Sequence, residues 1–182
     1  MISFRPLQRA DQQQILSWRN LPQIRHYMLT DHVISAAEHA EWFNRVLDNP
    51  KYRHWIICCD HQDVGLLNLY DIDPANRRCY WGFYVAGTSV RGKNVGMFAE
   101  FCVLQHVFEV LRFRKLSCEV LDFNRGVLRL HRAFGFVEEG RLRQHIVRGD
   151  EAHDVICLGI LDSEWVERRP QFERMFRGKG LL

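Results

Sequence analysis

The run from Met97 to Leu111 constrains this chain more than any other. Phe98, Phe101, Cys102, Leu104, Phe108 and Leu111 fall at helical spacings and cover well over half the surface such a helix would have. A helix that is apolar on most of its circumference has to be buried, so the rest of the chain must supply elements that cover it.

The flanking residues say what those elements are. Ahead of the buried helix lie three strand candidates, 53–59, 64–71 and 77–85, joined by the short polar turns Asp60-His-Gln-Asp63 and Asp71-Ile-Asp-Pro-Ala-Asn76, which together read as a β-meander. Earlier still, residues 2–7 read as a strand. Residues 9–28 carry Ile15, Leu16, Trp18, Leu21, Ile24 and Met28 at mostly helical spacings, interrupted by Pro22. Ser35-Ala-Ala-Glu38 is a capping-box pattern that opens a second helix toward Asn49. Past the buried helix come a strand at 116–122, a helix at 124–134 stopped by Gly135, and a hairpin of 137–147 with 153–161 across Arg148-Gly-Asp-Glu-Ala. The order predicts a mixed α/β fold around one sheet, with residues 1–162 as a single domain and 163–182 as a C-terminal tail.

Composition removes some classes of function. With 182 residues the chain can bury a substantial core without disulfides or metal. Six cysteines stand mostly inside apolar runs, with no CxxC or Cys/His spacing for zinc, so free thiols and no metal are expected. A formal net charge of +3 is too small to argue for nucleic acid. No uncharged stretch reaches the roughly 18 residues of a membrane span, and Met1-Ile-Ser-Phe-Arg-Pro has no apolar leader pattern. A cytoplasmic protein without a membrane partner is the expectation. Val155, Ile156, Leu158 and Ile160 near the end offer apolar surface for a homodimer.

The chemistry should sit at Val90-Arg-Gly-Lys-Asn-Val-Gly-Met97, between a strand and the buried helix. Glycine lets the backbone turn sharply and approach a ligand closely, and the first amides of a helix point outward at its positive end. A pyrophosphate suits such a place, with Arg91 and Lys93 adding charge beside it. The plain alternative is an ordinary strand-to-helix loop whose glycines turn it and whose lysine solvates it.

Arg91-Gly-Lys-Asn-Val-Gly96 resembles the Q/R-x-x-G-x-G/A loop with which the GNAT superfamily of N-acetyltransferases holds the coenzyme A pyrophosphate. It departs where Asn94 replaces a glycine, and Asn tolerates left-handed backbone angles better than most residues. Asn124 followed by Phe134-Gly-Phe136 is similar to that family's pattern after its fifth strand. The resemblance implies a mostly antiparallel seven-stranded sheet with a splayed central strand pair and about four helices. It also implies acetyl-CoA as co-substrate, held by the backbone of Phe83, Tyr84 and Val85, by Arg91, Gly92, Lys93, Asn94, Val95, Gly96 and Met97, and by Asn124.

Acetyl transfer needs a base for the amine and an acid for the departing thiolate. Glu119 places a carboxylate in the apolar Leu116-Ser-Cys-Glu-Val120; half-buried, it would have a raised pKa suited to a general base. It could equally be a solvent-facing strand residue. His131 lies seven positions after Asn124, two helical turns or about 10 Å along one face, where many family members carry a tyrosine as general acid. An imidazolium can donate that proton; the alternative is a histidine on the helix surface.

The first third of the chain narrows the acceptor. Trp18-Arg-Asn-Leu-Pro22, Arg25, Met28, Ile34-Ser35, His39 and Trp42-Phe43, with Tyr80-Trp-Gly-Phe-Tyr84, resemble the pseudaminic-acid-pathway acetyltransferases, which act on a UDP-linked 4-amino-4,6-dideoxy sugar in flagellin glycosylation. That resemblance implies Arg19 and His39 at the nucleotide phosphates, Met28, Trp42, Tyr80 and Tyr84 around sugar and base, and Asn68 at the nucleotide. A protein N-terminus or a polyamine is the alternative acceptor, and a non-catalytic acetyl-CoA-binding module the alternative of another class. For Met28 and Trp42, plain helix packing also remains open.

Overall fold

The computed structural model describes residues 1–90 and 92–182; the expected phosphate-binding residue Arg91 lies outside them. The strands β1 (Ile2–Pro6), β2 (Arg53–Cys59), β3 (Gln62–Asp73), β4 (Arg78–Val85), β5 (Lys115–Leu121), β6 (Val137–Arg148) and β7 (Glu151–Leu161) form a seven-stranded sheet in the order β1-β2-β3-β4-β5-β7-β6. The β1–β2, β2–β3, β5–β7 and β6–β7 pairs are antiparallel, whereas β4–β5 is parallel. Its ladder pairs Arg78, Cys79 and Tyr80 with Lys115, Leu116 and Ser117. Both strands run on beyond those three pairs, β4 to Val85 and β5 to Leu121.

Among the described residues six α-helices accompany the strands where about four helices were expected: α1 (Gln12–Arg19), α2 (Pro22–Arg25), α3 (Ala36–Leu47), α4 (Val95–Gln105), α5 (Arg125–Phe134) and α6 (Asp162–Gly178). Pro22 sits in the first turn of α2, where its missing amide costs nothing. It therefore divides the expected first helix in two. Ser35 caps α3 by accepting a hydrogen bond from the Glu38 amide at 3.2 Å. After Gln105 the buried helix widens into a π turn, His106–Val110, with the Leu111 amide reaching back to the His106 carbonyl at 2.9 Å. Hydrophobic spacing cannot separate a π turn from an α turn, so that change was not legible.

The chain divides into two compact units, residues 1–72 with 81–96, and residues 73–80 with 97–182. In the first unit Ile15, Ile24, Phe43, Ile56, Leu66, Tyr84 and Ala86 form one buried cluster, with Trp18, Met28 and Trp42 packed on it. Arg5 of β1 ties this unit together at the side, donating to Asp11 at 2.8 Å and 2.9 Å and also to Asp63. Its guanidinium holds both carboxyls below the usual carboxylate range.

The second unit is aromatic. Phe101 meets Trp165 and Phe176 at centroid distances of 5.8 Å and 5.0 Å, and Phe134 stacks on Phe172 at 3.9 Å. This corrects the reading of residues 163–182 as a tail, because most of them form α6. Trp165, Phe172 and Phe176 stand at helical spacing, so one face of α6 is apolar and buried. Each such ring contributes roughly 1.5–3 kcal/mol by leaving water. The basic Arg168-Arg-Pro and Arg177-Gly-Lys-Gly stretches share the sequence with that stripe.

A second correction concerns Val155, Ile156, Leu158 and Ile160. All four are at most 1% exposed, because β7 lies between β5 and β6. They belong to this chain's own core and present no dimer surface.

Candidate active site

Trp18-Arg19-Asn20 at the end of α1 organises the first unit's polar cluster. Asn20 donates to the Ile34 carbonyl at 2.9 Å and accepts from the Ile34 amide at 2.8 Å, clasping the segment before α3 to α1. Trp18 stands edge-on to Tyr84, centroids 6.5 Å apart. Arg19 is thereby carried inward, with Nη2 donating to Thr30 Oγ1 at 2.9 Å while Nη1 is buried without a hydrogen-bond partner among the described residues. The Tyr84 hydroxyl and both ring nitrogens of His39 are likewise buried and unpartnered.

Protein interiors rarely leave so many polar atoms unsatisfied, since each costs roughly 1–3 kcal/mol. Burial pulls the Arg19 guanidinium below its ordinary pKa, opposed by Tyr84 and Glu38. Burial, and then the charge of Arg19, lowers the pKa of His39. The Tyr84 hydroxyl is pushed up by burial. The result is a neutral imidazole, a neutral phenol and one fixed guanidinium, arranged over aromatic surface.

Trp42 packs against His39 at 5.2 Å and against His54 at 5.5 Å, and Met28 packs on the same apolar cluster. Asn68, half-buried on β3, has its side-chain oxygen 3.4 Å from where a Cβ on Gly82 would stand. The first unit therefore holds Arg19, Met28, His39, Trp42, Asn68 and Tyr84, with Tyr84 in one buried cluster and Met28 and Trp42 packed on it. Tyr80, half-buried, falls in the second unit, paired with Ser117.

The loop before α4 is shaped by backbone. Gly92 and Asn94 both have left-handed φ, +81° and +59°, so the asparagine adopts the geometry expected of the glycine it replaces. Gly96 is tight: a Cβ there would stand 3.0 Å from the Phe83 ring, so the ring would have to give way. Phe83 in turn stacks on Trp81 at 5.4 Å. Val95, Gly96 and Met97 open α4, where the first amides of a helix generally have no intrahelical acceptor. Lys93 does not project freely, because its Nζ lies 2.7 Å from Asp60 Oδ2, and that contact raises the lysine and lowers the aspartate. On β4, the Tyr84 carbonyl passes so close to Gly65 that a Cβ there would come within 2.2 Å of it. The Ala86 and Gly87 amides both donate to the Val64 carbonyl, at 2.7 Å and 3.0 Å, just beyond Val85.

In the second unit, Glu119 is half-buried in β5, opposite Cys157 on β7. Its charge adds to burial in pushing the Cys157 thiol up. Asn124 caps α5, its side chain accepting from the Val127 amide at 3.4 Å. His131 is not a surface histidine. It is buried with Leu128 and Phe134 on the inner face of α5, and its Nδ1 lies 2.9 Å from Oε1 of the fully buried Glu100 on α4.

Residues 2–137 match the acetyltransferase (GNAT) domain family. The chain belongs to the GNAT acetyltransferases. It is 31% identical over 132 residues to the prophage-derived uncharacterized N-acetyltransferase YokL of Bacillus subtilis, covering 72% of this chain and 73% of that one. It is 25% identical over 164 residues to the acetyltransferase PseH of Campylobacter jejuni, covering 89% and 94%. The crystal structure of spermidine N-acetyltransferase from Vibrio cholerae in complex with CoA and spermine superposes with a TM-score of 0.82 at 23% identity, over 91% of this chain and 98% of that one. The protein is thus an acetyl-CoA-dependent N-acetyltransferase with a mixed α/β sheet. No helix among its described residues is long and apolar enough to cross a membrane.

For a GNAT acetyltransferase the sequence reading passed over one residue of interest, Glu100. Its signal was present: Glu100 is the only charged residue of Val95–Gln105, a helix whose other side chains are apolar apart from Gln105. A lone carboxylate in such a helix is either badly placed or deliberately paired.

Proposed function

We propose that this enzyme moves acetyl from acetyl-CoA to the 4-amino group of a UDP-linked amino-dideoxy sugar, the reaction type of pseudaminic acid and flagellin-glycan biosynthesis. One observation carries the reading: a buried guanidinium nitrogen of Arg19 and both nitrogens of His39 stand unpartnered beside the Tyr84 hydroxyl. A nucleotide diphosphate satisfies these groups, with its charged oxygens on Arg19 and its sugar and base against Trp42, Met28 and Tyr84. A di- or tricationic polyamine would meet a fixed like charge there. The PseH relative supports the same acceptor class, over most of the length of both chains.

In this reading the amides at Val95, Gly96 and Met97 receive the pyrophosphate of acetyl-CoA, with Arg91, Gly92, Lys93 and Asn94 shaping the approach and Lys93 exchanging Asp60 for phosphate. The backbone of Phe83, Tyr84 and Val85 pairs with the pantetheine amides, and Asn124 holds the same arm from α5. Acetyl-CoA supplies an activated acyl carbon. Glu119 takes the proton from the attacking amine, directly or through water, and His131 gives one to the sulfur. Asn68 and Tyr80 complete the acceptor contacts.

The second reading is polyamine acetylation. A spermidine N(1)-acetyltransferase relative from Vibrio cholerae, 26% identical over 92% of this chain, favours it, as do the exposed carboxylates Glu38 and Glu41 on α3. Thiol release from acetyl-CoA with the UDP-amino sugar, with spermidine and with an N-terminal peptide separates the readings. Turnover with the sugar alone is expected; turnover with spermidine alone would overturn it.

A further inference from the structure

We infer that Glu100 is the positioning residue of a buried carboxylate–imidazole pair, which fixes the tautomer of His131 and stores the proton the departing sulfur takes up. The inference rests on the reading of His131 as general acid.

The setting of the pair is unusual for a structural ion pair. Glu100 is 0% exposed and His131 3%. A carboxylate withdrawn from water is strongly disfavoured unless something compensates. Yet only Oε1 is used, 2.9 Å from His131 Nδ1, and Oε2 has no hydrogen-bond partner among the described residues. A pair built only to join α4 to α5 would gain from satisfying both oxygens, or from apolar residues in the same space.

Proton counting gives the pair a chemical use. Ionised Glu100 with a neutral imidazole leaves one net negative charge in an apolar interior. One added proton makes the pair neutral, whether it sits on nitrogen or oxygen. Burial favours the neutral pair, and it raises the Glu100 pKa accordingly. Because Nδ1 faces the carboxylate, exchange with a substrate falls to Nε2.

The step then balances. The amine lone pair forms the C–N bond, the C–S electron pair leaves on sulfur, and sulfur takes a proton from His131 Nε2. The surplus proton on nitrogen passes to Glu119 and from there to solvent, and solvent recharges the pair.

The test is NMR of the intact enzyme with ¹⁵N-labelled histidine, His131→Gln serving to assign the signal. Expected is an Nδ1-bound proton far downfield in the wild type, moving upfield in Glu100→Gln. In the thiol-release assay Glu100→Gln should lower kcat ~10–10²-fold, as losing the outer partner of a functional histidine does. KM for acetyl-CoA should hold, and Glu100→Asp should recover part of the rate. Protonation at Nε2 alone, or a spectrum indifferent to Glu100→Gln, overturns the inference, and neither needs an acceptor. Slow His131→Gln with fast Glu100→Gln removes Glu100 alone from the mechanism. Full turnover in His131→Gln would remove the acid itself and this role with it.

Discussion

His39 and His131 are both buried, and their surroundings differ in one respect. His39 has aromatic rings about it, Arg19 as its charged neighbour and no hydrogen-bond partner for either nitrogen. His131 has a carboxylate at 2.9 Å. Burial alone therefore assigns neither a role. The unpartnered imidazole, lowered in pKa, is a neutral group waiting for a donor or acceptor from outside the chain. The imidazole beside Glu100 already has its partner within the chain, held on a neighbouring helix.

The contrast breaks most visibly at His131. Replacing it with Gln should slow turnover ~10²–10⁴-fold while acetyl-CoA affinity, read by calorimetry, stays unchanged. A loss of affinity instead would make His131 a packing residue.

A third buried histidine, His54, sharpens the comparison, because burial alone pushes its pKa down to about 4. A depressed folded-state value means the unfolded chain binds the proton more readily. The stability this histidine contributes is thus complete above about pH 6.5 and drains away as pH falls toward 4, by roughly 3 kcal/mol. His39 shifts in the same sense. Urea unfolding of His54→Phe across that window should show a flatter pH profile than wild type; an identical slope would mean that His54 is not the group titrating.

At the unpartnered cluster, Arg19→Met should raise the acceptor KM about 10- to 100-fold, the loss of a charge-assisted hydrogen bond worth roughly 1.5–3 kcal/mol. Acetyl-CoA KM should not move. An unchanged acceptor KM would show that Arg19 is only a partner for Thr30. The smallest effect belongs to the loop, whose shape is backbone. Asn94→Gly should alter Tm and coenzyme affinity only marginally, since the left-handed angle is already present, whereas Asn94→Val should cost about 1–2 kcal/mol in thermal unfolding.

Much of this was legible. The order of strands and helices along the chain, the capped α3 and the Gly135 stop of α5 follow from local rules of period, cap and turn, whereas the seven-stranded sheet and the glycine-like position of Asn94 came from the family resemblance. What was not legible depends on contacts across the chain. Nothing in Leu130-His131-Arg132 reveals that Glu100, on another helix, meets the ring. Nothing near Lys93 announces its pairing with Asp60. The apolar stripe of α6 was visible in principle, but its arginines masked it.

Helix α6 has a consequence for how the protein is made. Phe98, Phe101 and Phe134 are synthesised long before Trp165, Phe172 and Phe176, the rings that close over them. While translation is still short of residue 162, those earlier aromatics have no cover and are open to chaperones or to neighbouring nascent chains. Maturation of this half of the enzyme is therefore timed by the arrival of α6.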